Sequence, residues 1–389
     1  MRIKKMAELK HDPKKYEKIH HILFLADILL TVLVLLAFFM TPLSVNLMEI
    51  ARENVPETLG ANIAFILLNA FYLVAFVIII WLIFLPLHFY GSYVVEHKYG
   101  LSNLTKVKWF KDEMKSLLLG LITKLILVEA LYLLLWKNPG NWWIWTAVVW
   151  IIFSIVMTRI YPSVILPLFY KIKPIGNKIL AERIKKFIEK EGGRVLGIFE
   201  WELSAKTKKA NAAFTGMGST KRVILGDTLI NNYTDDEIET IIAHEFGHHR
   251  FRHLYKFLYI GAGIYIVSFA VINMVFKGLI EWRYYDNIDF FNIATFPLIA
   301  LCIYIIQLVA MPALNVISRF FERQADHFAL EKTNNPDAFI SGMSKLAEQN
   351  LANKEPNAII EFLLYSHPAI SKRIKAAEEY KKNQSRITN

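Results

Sequence analysis

The sequence predicts an all-α polytopic membrane protein of about six transmembrane helices, arranged around a chamber or as a solid bundle, with a small α/β cytosolic portion. Three observations predict it. The chain of 389 residues is 54% hydrophobic and only 20% charged, with a mean hydropathy of +0.33, whereas soluble domains carry about 25% charge. Six apolar runs reach the roughly 20 residues that a helix needs to cross about 30 Å of hydrocarbon. The lysines and arginines behind a net charge of +11 lie between those runs, which points to a lipid bilayer as partner and away from nucleic acid. The composition excludes disorder, and a lone cysteine, Cys302, excludes a disulfide framework or a cysteine-rich zinc site.

Taken in order, the spans cover about residues 22–43, 63–87, 117–136, 142–157 with a tail towards Tyr170, 257–276 and about 290–314. Arg159, Pro162 and Pro167 interrupt the tail of the fourth. The first run is a span and not a cleavable signal, being too long and lacking a small-residue cleavage site after Met40. Basic residues crowd the N-terminal tail (Arg2, Lys4, Lys5, Lys10, Lys14, Lys15, Lys18), the loop after span two (Lys98 to Lys115) and the stretch after span four (Lys171 to Lys186). The alternate loops, 45–61 and 277–289, are acidic or balanced. Both termini and residues 171–253 are therefore expected in the cytoplasm. Four parts follow: 1–170 with four spans, 171–253 as a cytosolic catalytic segment, 254–318 with two further spans, and 319–389 as a cytosolic C-terminal region. Lys124 and Glu129 in span three face either each other or a wet chamber, and Asp27 is read as interfacial.

The cytosolic segment opens on an amphipathic helix at 176–192, with Leu180, Ile184, Phe187 and Ile188 on one face. Residues 195–202 read as a strand, and 212–214 with 223–225 as a hairpin around Gly216, Gly218 and Lys221. Thr234 with Glu237 three residues on caps a helix running to about Arg252. That helix carries His244-Glu245-Phe246-Gly247-His248. Histidines at i and i+4 share a face and can bind one zinc ion, with the glutamate placed to take a proton from an attacking water. His249 and His253 fall off that face and read as ordinary polar residues. A catalytic zinc needs a third protein ligand. Beyond span six, Glu322 and Asp326 stand at i and i+4 on a helix leaving the membrane. Glu322 is the expected third ligand, and Asp326 the acceptor that fixes a ligand imidazole. The alternative is an acidic face paired with Arg319 and Arg323.

With these motifs the chain resembles the integral-membrane zinc metalloproteases of the type I CAAX prenyl endopeptidase family, over about residues 85–375. Tyr93-Val-Val-Glu-His-Lys-Tyr-Gly, the run from Ile160 to Phe169, Asn211-Ala-Ala-Phe, the run from Lys221 to Leu229, the run from Asn315 to Asp326, and Ser366-His-Pro with Arg373 occur in the family's order. The resemblance implies one Zn2+ per chain on His244, His248 and Glu322, with Glu245 activating water. It implies Asp326 as proton donor, where the residues themselves suggest support for a ligand, and His367 as hydrogen-bond donor to the oxyanion. It places Asn211 and Ala213 where an extended substrate joins a sheet edge, and Arg373 against the loop or a substrate carboxylate. The expected substrates are peptides with lipidated or hydrophobic ends, prenylated ones among them, or tails of membrane proteins. The expected location is the plasma membrane in a prokaryote and the endoplasmic reticulum in a eukaryote. Eukaryotic members are similar to a seven-span architecture, and one helix between spans one and two is missing here. A looser likeness to HtpX suggests quality control of damaged membrane proteins. A site-two-type protease would place its motif inside an apolar span, unlike the charged flanks Asp235–Glu239 and Arg250–Arg252. A zinc-bearing channel or carrier, or a non-catalytic scaffold, would leave Glu245 without a reason.

Overall fold

The computed structural model describes residues 12–218, 221–280 and 291–388. Arg2, Lys4, Lys5 and Lys10 of the basic tail, residues 281–289 of the last non-basic loop and Phe290 lie outside the described residues. Among those described, six helices are long and apolar enough to cross a membrane. The first, α1 (Pro13–Met40), starts where the Asp12 carboxylate accepts from the Lys15 backbone N–H. Leu25, Leu29 and Leu33 on this helix are each more than half exposed, as lipid-facing residues must be. A short helix follows, α2 (Leu43–Glu53). Its 11 residues rise only about 16 Å, too little to cross. It folds back onto the bundle instead: Ser44 donates to the Ala294 carbonyl at 2.7 Å and stands 2.6 Å from the Tyr72 hydroxyl.

Next come α3 (Ala61–Phe89), α4 (Lys106–Lys137) and α5 (Trp142–Ile160). The prolines expected to interrupt the fourth span do not end it. A π-helical turn at Tyr161–Ile165 takes up Pro162, and one more turn carries the chain to Phe169. Widening the helix is a way to absorb a residue that cannot donate its N–H. The bundle core holds Tyr72, Leu131, Tyr132, Trp142, Phe269 and Ile299. Its polar tips are paired, Tyr132 with Thr295 at 2.8 Å and Trp142 with Asn273 at 3.0 Å. Glu129 is met by the Asn69 amide at 3.4 Å. Lys124 lines a cavity of about 430 Å³ together with His88, Glu113, Gly120 and Phe296.

The chain then enters a four-stranded sheet of order β1-β2-β4-β3. β1 (Ile172–Pro174), with no clear sequence signal, precedes α6 (Lys178–Lys190), whose face Leu180, Ile184, Phe187 and Ile188 is buried. β2 (Ile198–Trp201) runs parallel to β4 (Arg222–Gly226), and β3 (Ala212–Thr215) pairs antiparallel with β4, Ala212 opposite Leu225. The motif helix α7 (Asp235–Arg250) follows, then the spans α8 (His253–Ile280) and α9 (Phe296–Thr333). Three helices end the chain: α10 (Pro336–Gln349), α11 (Ala358–Leu364) and α12 (Ile370–Thr388). A second core joins Ile184, Val223, Ile242 and Phe246 to Phe328, Phe339 and Ala377, so the segments on either side of the last two spans share one interior.

The N-terminus of α7 is a complete capping box between Thr234 and Glu237. The buried Glu237 carboxylate also accepts from Ser341 at 2.5 Å and Lys345 at 2.7 Å, which ties α7 to α10. Burial opposes ionisation of Glu237, but the bonds from Lys345, Ser341 and Thr234 outweigh it and lower its pKa. A lowered carboxylate pKa contributes stability that is present above the ordinary glutamate value and is lost as pH falls through the folded value. Glu237→Gln is therefore expected to destabilise the protein by about 1–2 kcal/mol at pH 7. The gap between the melting curves of the two proteins should narrow as pH falls below the ordinary glutamate value of about 4.3. A gap that persists undiminished at pH 3 would contradict this account.

Candidate metal centre

Two helices build the site, and their spacing is set by glycine. A Cβ on Gly247 of α7 would lie 3.1 Å from the Ala325 Cα on α9. The backbones can approach so closely only because both residues are small. That contact places His244 and His248 of one helix against Glu322 and Asp326 of the other. The His244 and His248 Nε2 atoms stand 3.2 Å apart. Glu322 Oε2 lies 3.3 Å from His244 Nε2, and Glu322 Oε1 lies 3.3 Å from His248 Nε2. Ligand atoms of a tetrahedral zinc ion, each about 2.0–2.2 Å from the metal, stand roughly 3.3 Å apart.

The donor chemistry fits a divalent cation as well. Glu322 is buried, and its Oε2 has no hydrogen-bond partner. An ionised oxygen left so in a protein interior costs several kcal/mol, and a metal ion removes that cost. Among the described residues, His244, His248 and Glu322 form a group able to hold one.

The surrounding side chains fix these three. Asp326 Oδ1 lies 2.8 Å from His244 Nδ1, and the carboxylate takes a two-pronged bond from Arg373, at 2.5 Å and 2.8 Å. Arg373 is itself buried. Its guanidinium is engaged by Asp326, next to the metal-binding group. Burial disfavours the His244 imidazolium, but the neighbouring carboxylates of Asp326 and Glu322 outweigh it and raise the pKa. Glu245, on the same turn, has its pKa raised chiefly by burial, with His244 and His248 opposing. His367, between α11 and α12, is the open side: its side chain keeps 60% of its surface, and its Nε2 reaches Glu322 Oε1 at 3.3 Å. The Ser366 hydroxyl meets its Nδ1 at 2.9 Å. Sequence reasoning passed over His253, whose Nδ1 lies 2.9 Å from His248 Nδ1. His249 points elsewhere, stacked on Phe214.

The edge strand β3 flanks the site. The Phe214 backbone N–H faces Glu245 and works against the rise in its pKa, and the Asn211 carbonyl accepts from Gly226 at 2.9 Å. Backbone groups alternate sides along a strand. Asn211 and Ala213 therefore turn their peptide groups inward to β4, and the open edge belongs to Ala212 and Phe214.

The Peptidase family M48 profile matches residues 174–381, and a CAAX prenyl protease N-terminal profile with five membrane helices matches residues 4–171. The chain belongs to peptidase family M48. Membership makes it a metal-dependent hydrolase of peptide bonds, embedded in a membrane by several helices. An uncharacterized metalloprotease of Bacillus subtilis, YhfN, is 31% identical to this M48 peptidase over 77% of this chain and 70% of its own. A CAAX prenyl protease 1 homolog of Arabidopsis thaliana is 30% identical over 76% and 69%. The crystal structure of S. mikatae Ste24p superposes with a TM-score of 0.82 at 24% identity, covering 95% of this chain and 88% of that one. Where the N-terminal profile has five membrane helices, the M48 peptidase has four long ones and the short α2.

Proposed function

We propose that the protein holds one zinc ion per chain on His244, His248 and Glu322, and cuts peptide bonds near lipidated or hydrophobic C-terminal ends, or tails of membrane proteins, on the cytoplasmic side. The convergence of two imidazole nitrogens on the buried Glu322 carboxylate, whose Oε2 has no hydrogen-bond partner, carries this reading. A zinc ion there supplies Lewis-acid polarisation of the scissile carbonyl and acidifies water. The chain's own residues do the rest. Glu245, its pKa already raised by burial, takes a proton from the attacking water as the oxygen bonds to the carbonyl carbon. The same carboxyl then passes that proton to the leaving nitrogen as the C–N bond breaks, giving a carboxylate and an amine. His367 donates to the developing oxyanion from the open side of the site. Asp326, buried and held by Arg373, accepts from His244 Nδ1–H, which favours support over proton donation. An extended substrate would lie along Ala212 and Phe214, with the Asn211 side chain at its margin.

Relatives named as CAAX prenyl proteases, at 30% identity and below, support the lipidated class, and the basic loops support cytoplasmic termini. Purified in detergent, the protein should contain about one zinc per chain, and Glu322→Ala should lose nearly all of it. A peptide with an isoprenyl cysteine near its C-terminus should be cleaved about tenfold faster than its unlipidated twin, the gain expected from burying a few methylenes. Equal rates for the two peptides would remove the lipidated class and leave membrane-protein tails.

A further inference from the structure

His253 begins α8 directly after Arg252, whose φ of 56° turns the chain through the left-handed region. The turn brings the imidazole back beneath His248, where it is 98% removed from solvent (2% exposed). Phe321 stacks on it with 4.2 Å between ring centroids at 10°. Its Nδ1 is 2.9 Å from His248 Nδ1, and its Nε2 is 3.0 Å from the Gln324 side-chain oxygen.

An amide oxygen can only accept, so the His253 proton sits on Nε2. The Nδ1 of a neutral ring is then a lone pair, and the hydrogen bond to it must be donated by His248 Nδ1–H. That leaves His248 Nε2 bare, and it is the atom that faces Glu322 and His244 Nε2. With the Gln324 amide turned the other way, its nitrogen would donate, every proton in the row would move one place, and His248 Nε2 would carry a hydrogen into the ligand cluster. A doubly protonated His253 would do the same. Only one of these arrangements leaves a lone pair for a cation.

We infer that His253 and Gln324 are positioning residues that fix the metal-binding tautomer of His248, an inference that rests on the metal-centre reading above. α9 thus serves both histidines: Asp326 fixes His244 directly, and Gln324 fixes His248 through one intervening imidazole. The second route adds no charge to a cluster that already holds Glu322, Asp326 and Arg373.

Zinc affinity of the full-length protein in detergent, read by competition with a chelating dye, tests the relay without reference to activity. His253→Phe keeps the ring stack but removes the acceptor, and it should bind zinc about 10–100-fold more weakly. Gln324→Leu should weaken binding about tenfold, and Gln324→Glu, which still accepts from His253, should restore parent affinity or exceed it. The Gln324 pair decides the matter alone if His253→Phe does not fold. Parent-like affinity in Gln324→Leu, or equal losses in Gln324→Leu and Gln324→Glu, would overturn the relay while leaving the metal centre standing. A parent that binds no zinc, shown beside His248→Ala, overturns both.

Discussion

Glu245→Gln should leave the zinc content at the parent level and lower the rate of peptide cleavage by at least about a thousandfold, within the range that loss of a positioned proton-transfer group produces. Glutamine keeps the shape of the side chain and its place beside the Phe214 N–H. It cannot take a proton from water at neutral pH. The two histidines of the proposed ligand set sit one residue before it and three after and do not depend on its charge. Metal analysis and single-turnover cleavage of the same preparation separate the two effects. A variant that retained a tenth of the parent rate would remove Glu245 as base. A variant that lost its zinc would show that the carboxylate also holds the cluster together.

Gly247→Val should have the broader effect, because it acts on the spacing of two helices and not on one group. Even a bare Cβ there would lie 3.1 Å from the Ala325 Cα and 3.4 Å from Phe328 Cδ1. Valine adds two more carbons against backbone that cannot yield, so α7 and α9 must part by an ångström or more. Overpacking of this kind costs about 1–3 kcal/mol. The loss in metal binding should be larger, since His244 and His248 ride on one helix and Glu322 on the other, and ligand distances tolerate only about 0.2 Å. Zinc affinity is expected to fall at least about a hundredfold, with Gly247→Ala in between. Chelator competition together with melting curves checks it. A Gly247→Val protein with parent affinity would mean that the helices are not held at this contact.

The spans, the capping box and the grouping of His244, His248 and Glu322 were legible in the sequence because each is written in local spacing. A 20-residue apolar run, Thr234 three residues before Glu237, and pairs at i and i+4 all translate directly into helix geometry. What was not legible depends on contacts between distant segments. α2 is too short to read as a span, and its role follows from Ser44 meeting Ala294, some 250 residues away in the chain. The pairing of Arg373 with Asp326 could not be read, because nothing in its neighbourhood announces a residue 47 positions away. His253 was misplaced for a sharper reason: counting along one continuous helix puts it off the ligand face, whereas the left-handed turn at Arg252 restarts the count and swings it under His248. Which residues of β3 turn their peptide groups towards β4 is decided by the Asn211 to Gly226 bond and not by composition.

The membrane hairpin of α8 and α9 sits inside the catalytic unit, between the ligands of one cluster. His248 leaves the ribosome first, and Glu322 follows 74 residues later, after two apolar spans have been made. At about 5–20 residues per second, elongation alone separates them by roughly 4–15 s. Throughout that interval the nascent chain has its histidines and its base but no third ligand. The ligand set closes only when both spans have entered the bilayer and the end of α9 has come back to α7. On the proposed ligand set, biosynthesis is its own safety catch: a copy stalled before insertion, or one whose last two spans fail to integrate, is an inert polypeptide and not a loose protease.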